Sequence, residues 1–142
     1  MLIIRLKAIA AFFLFFIIGL GVFYFSIQEI IEYFKFHDVI IYSWMDCFAL
    51  VFSFVVFLFS IYPIHIAFYG IPIPAGKSRG IYKTAIVFFA ASLVIPIVFS
   101  FIYANKIESK GYIQCQGIPS GWMPGMATKY AINEDLCLKK SD

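Results

Sequence analysis

Two cysteines in the C-terminal tail are the residues of this chain with the clearest chemical potential. Cys115 and Cys137 lie far apart in a polar stretch, a separation unlike the C-x-x-C motif of thiol-exchange proteins. Their spacing suits a structural disulfide, which persists in oxidising compartments such as the bacterial periplasm. We therefore expect a Cys115–Cys137 disulfide; the alternative is a pair of reduced thiols in a cytosolic tail. Cys47 begins an apolar stretch and is interpreted as a buried apolar residue that stays outside the disulfide; the alternative is a free thiol near the external surface.

The other polar residues do not form a pattern typical of catalysis or ligation. The chain has two His and three Cys, and they make neither a nucleophile–base set nor a cluster with metal-ligand spacing. We expect no enzymatic activity, no catalytic or metal-binding residue and no cofactor. Nothing indicates a small-molecule substrate or a nucleic acid. The sequence instead predicts a protein that acts by binding.

The composition indicates a membrane protein. Of 142 residues, 63% are hydrophobic, 20% are aromatic and 13% are charged, against about 25% charged residues in an ordinary globular domain. Three apolar stretches, at about residues 8–27, 47–68 and 84–103, reach the roughly 20 residues that a helix needs to cross a bilayer. The first could instead be a signal peptide, but bulky Phe23, Tyr24 and Phe25 stand where small residues should mark a cleavage site.

These stretches predict an all-α membrane protein with three transmembrane helices. Residues 1–103 form the transmembrane region, which includes an interfacial segment at 28–46 and a cytoplasmic loop at 69–83. Residues 104–142 form a short periplasmic cap, mostly irregular and stapled by the disulfide. Gly19 and Gly21 are interpreted as small residues at helix contacts.

Orientation follows from the basic residues near the ends of the spans. Five of them flank one side without any acidic residue, namely Arg5, Lys7, Lys77, Arg79 and Lys83. The positive-inside rule therefore favours a cytoplasmic N-terminus and a periplasmic C-terminus in a bacterial inner membrane. Lys106 and Lys110 lie directly after the third span, on the side assigned to the periplasm, and by the same rule they favour the opposite orientation.

The interfacial segment at 28–46 combines charge with aromatic residues. Glu29, Glu32, Lys35 and Asp38 recur at intervals of three along a stretch that we expect to be helical. Trp44 stands where an aromatic belt would meet the lipid headgroups. One interpretation is a helix lying on the lipid surface. The other is an acidic, aromatic docking face for a protein partner.

The tail offers a second candidate binding element. Glycines and prolines between residues 117 and 125 preclude a regular helix, so Trp122, Met123 and Met126 should lie on an irregular loop inside the disulfide ring. Such a loop can be a recognition surface. Alternatively, Trp122 packs on the ends of the spans or dips into the headgroups.

The tail also carries a family resemblance. Residues 111–130, with the run Pro-Ser-Gly-Trp-Met-Pro-Gly at 119–125, and the closing pair Leu136 and Cys137 resemble the C-terminal signature of a family of small, uncharacterised enterobacterial inner-membrane proteins. In size and topology the chain is also similar to the membrane immunity proteins that protect bacteria from bacteriocins and membrane-acting toxins. This resemblance implies that the chain binds a toxin in the inner membrane. The alternative is an accessory or assembly subunit of a membrane complex.

Overall fold

Three long helices make up most of the protein. A computed structural model describes residues 2–119 and 123–138, with α1 at Leu2–Tyr33, α2 at Trp44–Tyr69 and α3 at Ala75–Ser109. Each helix contains one of the predicted spans and is long and apolar enough to cross a membrane. The chain is therefore a membrane protein, and the predicted three-helix architecture is confirmed.

The second helix is central, because α1 and α3 both pack against it. On α1, Gly19 is buried against the ring of Phe57, and a Cβ added at Gly19 would lie 2.7 Å from Phe57 Cε1. At Gly21, the described part of the chain has no atom within 4 Å of the equivalent position apart from the adjacent backbone of α1 itself. Of the two glycines expected at helix contacts, Gly19 alone meets a neighbouring helix closely.

The connection between α2 and α3 is shorter than the sequence suggested. Gly70 ends α2 in the left-handed conformation, with φ 74°, and its amide donates to the Ile66 carbonyl over 2.8 Å. The next helix begins at Ala75, directly after Pro74, because proline is tolerated at a helix start. Lys77, Arg79 and Lys83, expected in a loop at 69–83, thus lie in the first turns of α3.

A small antiparallel sheet covers the opposite end of the helices. Its strands are β1 at Val39–Ser43, β2 at Ile113–Gln114 and β3 at Ala127–Ala131, in the order β1-β3-β2, and the short helix α4 follows at Glu134–Leu138. Ile40 stands opposite Tyr130, and Tyr42 stands opposite Thr128. We call residues 34–43, 110–119 and 123–138 the cap.

The cap differs in one respect from the sequence prediction. Segment 28–46 was expected to be helical and interfacial, but only its first residues are helical at this end, where they continue α1 as far as Tyr33. The chain then turns through Phe36, at φ 50°, and enters β1. The β-branched run that opens at Val39 favours a strand, and pairing with β3 outweighs the helical spacing of the charges.

A buried aromatic cluster joins the cap to the helices. Its members come from α1, β1, α3, β3 and the residue before β2: Tyr33, Ile40, Tyr42, Tyr103, Ile107, Tyr112 and Tyr130. The predicted disulfide between Cys115 and Cys137 is present, and Cys47 is a buried free thiol. The cap therefore has a small core of its own and a covalent staple.

Candidate functional site

Tyrosine hydroxyl groups fix the cap on the helix ends. Tyr103 on α3 donates to the main-chain carbonyl of Tyr33 over 2.6 Å. The hydroxyl of Tyr112 donates a hydrogen bond that is shared between two carbonyl oxygens, that of Phe36 at 2.8 Å and that of His37 at 3.0 Å. These carbonyls follow the end of α1, where no further helical turn supplies donors. The turn before β1 is thereby held by side chains from α3 and from the segment that follows it.

A carboxylate at the start of α2 completes this attachment. The hydroxyl of Tyr33 donates to Asp46 and accepts from the amide of Ser43 over 3.1 Å. Ser43 is also the N-cap of α2, since its side chain accepts from the Met45 amide over 3.2 Å. The Asp46 carboxylate is therefore held in place by Tyr33 of α1. It lies in the first turn of α2, where a negative charge is favourable.

Two of the predicted binding residues meet at the edge of the cap. Trp44 Nε1 donates to the carbonyl oxygen of Gly125 over 3.0 Å, which brings Trp44 beside Met126. The amide of Met126 donates to the carbonyl of Met123 over 3.2 Å, so these residues form a turn. Met123 is 67% exposed. The bond from Trp44 thus anchors a turn that presents a large apolar side chain outward.

An open groove lies beside this turn. It has a volume of about 620 Å³, and its lining includes Trp44, Ile97, Ser100, Ala104 and Met126. Most of the lining is apolar, and the α3 side of the groove continues into the apolar surface of that helix. The groove size falls within the range of small-molecule sites, roughly 300–1,000 Å³.

Hydroxyl groups mark the cap side of the groove. Ser100 Oγ donates to the Pro96 carbonyl over 2.7 Å, so the 2.6 Å contact between Tyr42 and Ser100 has Tyr42 as its donor. Burial raises the pKa of Tyr42. Burial and, to a lesser extent, the charge of Glu108 raise the pKa of Tyr130. Both hydroxyls therefore remain protonated, and able to donate, at neutral pH.

The predicted acidic residues form a separate patch. Glu29 and Asp38 are exposed, and Glu32 pairs with Lys35 and with His37, the latter at 3.1 Å. All lie at the end of α1 or in the turn before β1. The structure therefore puts Glu29, Glu32 and Asp38 at the cap end of the molecule, while Trp44, Met123 and Met126 form a cluster of their own. Trp122, the remaining predicted binding residue, lies outside the described residues.

The family of the chain is established by a family model that matches residues 40–138 and carries the description protein of unknown function (DUF1240). The chain belongs to this family. The match runs from β1 to α4 and includes Trp44, Met123, Met126 and both disulfide cysteines. Glu29, Glu32 and Asp38 precede it. Neither a curated protein nor a solved structure matches the chain.

Within the region shared with the DUF1240 family, sequence reasoning missed the residues that build the groove. No binding role was predicted for Tyr42, Ser100, Gly125 or Tyr130. For Tyr42 the available signal was the β-branched run that opens at Val39, which favours a strand. Residues 127–131 around Tyr130 show no apolar–polar alternation that would have indicated a strand. The role of Gly125 had no signal in the sequence, because it depends on a carbonyl that meets Trp44 across 81 positions.

The described residues offer no ready site for a metal ion. Among residues 2–119 and 123–138, no group of three or more His, Cys, Asp or Glu side chains is arranged to hold one. The features with an evident capacity to bind are thus the Met123 turn, the groove and the acidic patch.

Proposed function

We propose that this protein is a non-catalytic binding protein of the bacterial inner membrane that neutralises a membrane-acting toxin from the periplasmic side. The observation that carries the proposal is the exposed Met123 turn, which the bond from Trp44 to Gly125 anchors beside an open apolar groove. An exposed apolar side chain on a rigidly held turn is a suitable anchor for a protein partner. Binding through it costs little ordering of the free protein.

The periplasmic assignment is supported by charge and by the disulfide. Lys77, Arg79 and Lys83 lie at the start of α3, and the Arg5 side chain lies against Gly70, so these basic groups share the end opposite the cap. The positive-inside rule favours a cytoplasmic location for that end. The cap at the other end contains a disulfide, which an oxidising compartment maintains.

The two lysines that count against this orientation have local partners. Lys106 Nζ lies 5.7 Å from the ring centre of Phe34, and Lys110 Nζ lies 3.8 Å from that of Phe36. Such cation–π contacts contribute about 0.5–1 kcal/mol at exposed sites. Both lysines therefore have a structural role at the cap end that is independent of topology.

Charge supports specificity in this proposal. The acidic patch of Glu29, Glu32 and Asp38 lies at the same end as the Met123 turn, so a toxin with a basic surface would be attracted to the cap before contact. Complementary charge raises association rates and disfavours wrong partners. A few apolar anchors then supply most of the binding energy.

The second candidate function is that of an accessory or assembly subunit of a membrane complex. It is favoured by the helix surfaces, because only 11% of the most apolar window of α1 and 17% of that of α3 are buried within the protein. Faces of this kind can contact other helices as well as lipid.

The test is a protection assay in cells that lack the chromosomal copy. Each toxin encoded beside the gene is applied to cells that carry the wild type, Met123→Ala, the double variant Glu29→Lys/Glu32→Lys, or Lys77→Ala as a control at the other end. We expect protection from the wild type and Lys77→Ala, and at least a tenfold loss of survival with the two cap variants at equal membrane abundance. Equal survival with and without the protein would instead favour the accessory-subunit function.

A further inference from the structure

The groove beside the Met123 turn follows α3 for a defined length. On α3 it extends from Leu93 to Ala104, and Ile97 and Ser100 lie between them on the same face at helical spacing. At 1.5 Å per residue, this stretch of helix is roughly 16 Å long. Half of a hydrocarbon core of ~30 Å is about 15 Å. The groove is therefore as long as one leaflet of a bilayer is thick.

The position of the groove agrees with this length. Leu93 lies at the middle of the predicted span at 84–103, and Ala104 directly follows that span. The groove thus runs from the bilayer centre to the boundary on the cap side. Trp44 and Met126 line it at that boundary, the depth at which tryptophan is commonly found.

The groove opens toward lipid. Leu93, Ile97 and Phe101 line it and are 48%, 59% and 70% exposed. At this depth the protein is surrounded by hydrocarbon, and an apolar space of this kind does not hold water. Whatever fills the groove must therefore come from within the membrane.

Size separates the two kinds of occupant that a membrane offers. A helix is 10–12 Å across with its side chains, so 16 Å of it would occupy roughly 1,300 Å³. The groove provides about 620 Å³. Over a length of roughly 16 Å this volume is narrower than a helix, which could contact only the rim of the open groove, whereas a single hydrocarbon chain is thin enough to lie inside it.

The cap end of the groove carries polar groups that suit a lipid. Thr128 and Tyr130 line it, and within the described residues no hydrogen bond engages either side chain. Tyr42, by contrast, already donates to Ser100. The hydroxyls of Thr128 and Tyr130 are thus free to donate to the ester oxygens of a lipid. These oxygens lie at the membrane boundary, where the acyl chains begin.

We infer that this groove binds one acyl chain of a membrane phospholipid, with the lipid ester group at Thr128 and Tyr130 and the chain along α3 as far as Leu93. The lipid site does not rest on the proposed toxin binding. It would brace the Met123 turn from the membrane side, because the same Met126 that ends the turn forms part of the wall.

The first test counts phospholipid molecules that remain on the full-length protein after detergent extraction, by native mass spectrometry. Ala104→Phe fills the groove, and Ala90→Phe makes the same change at an exposed position on α3 that lies outside it. We expect one retained phospholipid on the wild type and on Ala90→Phe, and at least a tenfold lower occupancy on Ala104→Phe. Equal occupancy in all three proteins would overturn the inference.

The second test does not depend on altering the groove. A Trp122→Phe variant leaves Trp44 as the single tryptophan, and its fluorescence is measured in vesicles with an increasing fraction of phospholipid brominated on the acyl chain. A specific site predicts quenching that saturates at a low brominated fraction. Quenching in simple proportion to that fraction would show ordinary contact with the surrounding lipid only, and would contradict the inference. If brominated phospholipid does not quench the Trp44 fluorescence, and crosslinking at position 44 captures a second protein, the groove holds a protein partner and the inference is wrong.

Discussion

Tyr103 donates a 2.6 Å hydrogen bond to the main-chain carbonyl of Tyr33, which ties the end of α3 to the end of α1. Both residues are almost fully buried, and their ring centres are 5.7 Å apart. Tyr33 also bonds to Asp46 at the start of α2. One pair of tyrosines therefore links all three helices at the point where the cap begins.

This relationship predicts the effect of removing one hydroxyl. Tyr103→Phe retains the ring contacts but leaves the Tyr33 carbonyl without its donor in a buried position. We expect a loss of about 1–3 kcal/mol in the free energy of unfolding. It can be measured by the midpoint of denaturant unfolding in detergent micelles.

Tyr24→Phe is the matched control for this substitution. Tyr24 is 60% exposed and its hydroxyl has no hydrogen-bond partner within the described residues, so its removal should change stability by less than about 0.5 kcal/mol. Equal effects of the two substitutions would show that the Tyr103 bond does not hold the cap.

A second prediction concerns the packing of α1 on α2. Gly19→Val would force its side chain into the Phe57 ring, whereas Gly21→Val points into open space on the same helix. We expect the first change to cost about 1–3 kcal/mol through overpacking, and the second to be nearly neutral. Unfolding in mixed micelles, followed by helical circular dichroism, distinguishes them. A comparable loss from Gly21→Val would mean that valine itself, and not the contact with Phe57, weakens the helix.

The helices could be predicted from sequence because their signal is local. Each of the three long apolar stretches must be helical in a bilayer to satisfy its own backbone hydrogen bonds, whatever its neighbours are. The disulfide was predictable for a related reason. Only two cysteines lay in the polar tail, and a tail this short needs a covalent link such as a disulfide to form a stable structure.

The cap sheet and the groove could not be predicted in this way. The strand at Val39–Ser43 exists because it pairs with Ala127–Ala131. Neither short segment contains a signal that indicates which other segment it pairs with. The groove depends further on the approach of Gly125 to Trp44. Trp44 and Met126 were predicted as binding residues from their types, but their proximity is a product of the sheet.

The disulfide yields a third prediction. Cys115 and Cys137 are 22 positions apart, and the chain-entropy model gives a contribution of about 3 kcal/mol for closing such a loop. Cys115→Ser/Cys137→Ser should lower the stability of the cap by about this amount, measured by hydrogen exchange at the amides of β3. Cys47→Ala, which leaves the bond intact, is the control. Thiol labelling of the unreduced protein should modify at most Cys47; labelling of both tail cysteines would contradict the presence of the bond in cells.

The proposed orientation gives a fourth prediction. A reporter that is active only in the periplasm should be active when fused after Asp142, and inactive when fused at Lys77, because the five basic residues favour a cytoplasmic location for that end. A reporter active only in the cytoplasm should give the opposite pattern and serves as the control. If the periplasmic reporter is active at Lys77 and silent after Asp142, the cap faces the cytoplasm and cannot meet a toxin that arrives from the periplasm.

The central claim is that the cap protects by direct binding, and the most direct test is an affinity measurement. The full-length protein in lipid nanodiscs is titrated with the purified toxin against which it protects cells. The account predicts a Kd below about 1 μM, equivalent to roughly −8 kcal/mol, with at least a tenfold weakening by Met123→Ala and by Glu29→Lys/Glu32→Lys, and no change with Lys77→Ala. Protection of cells by a wild-type protein that shows no binding in this titration would contradict the account.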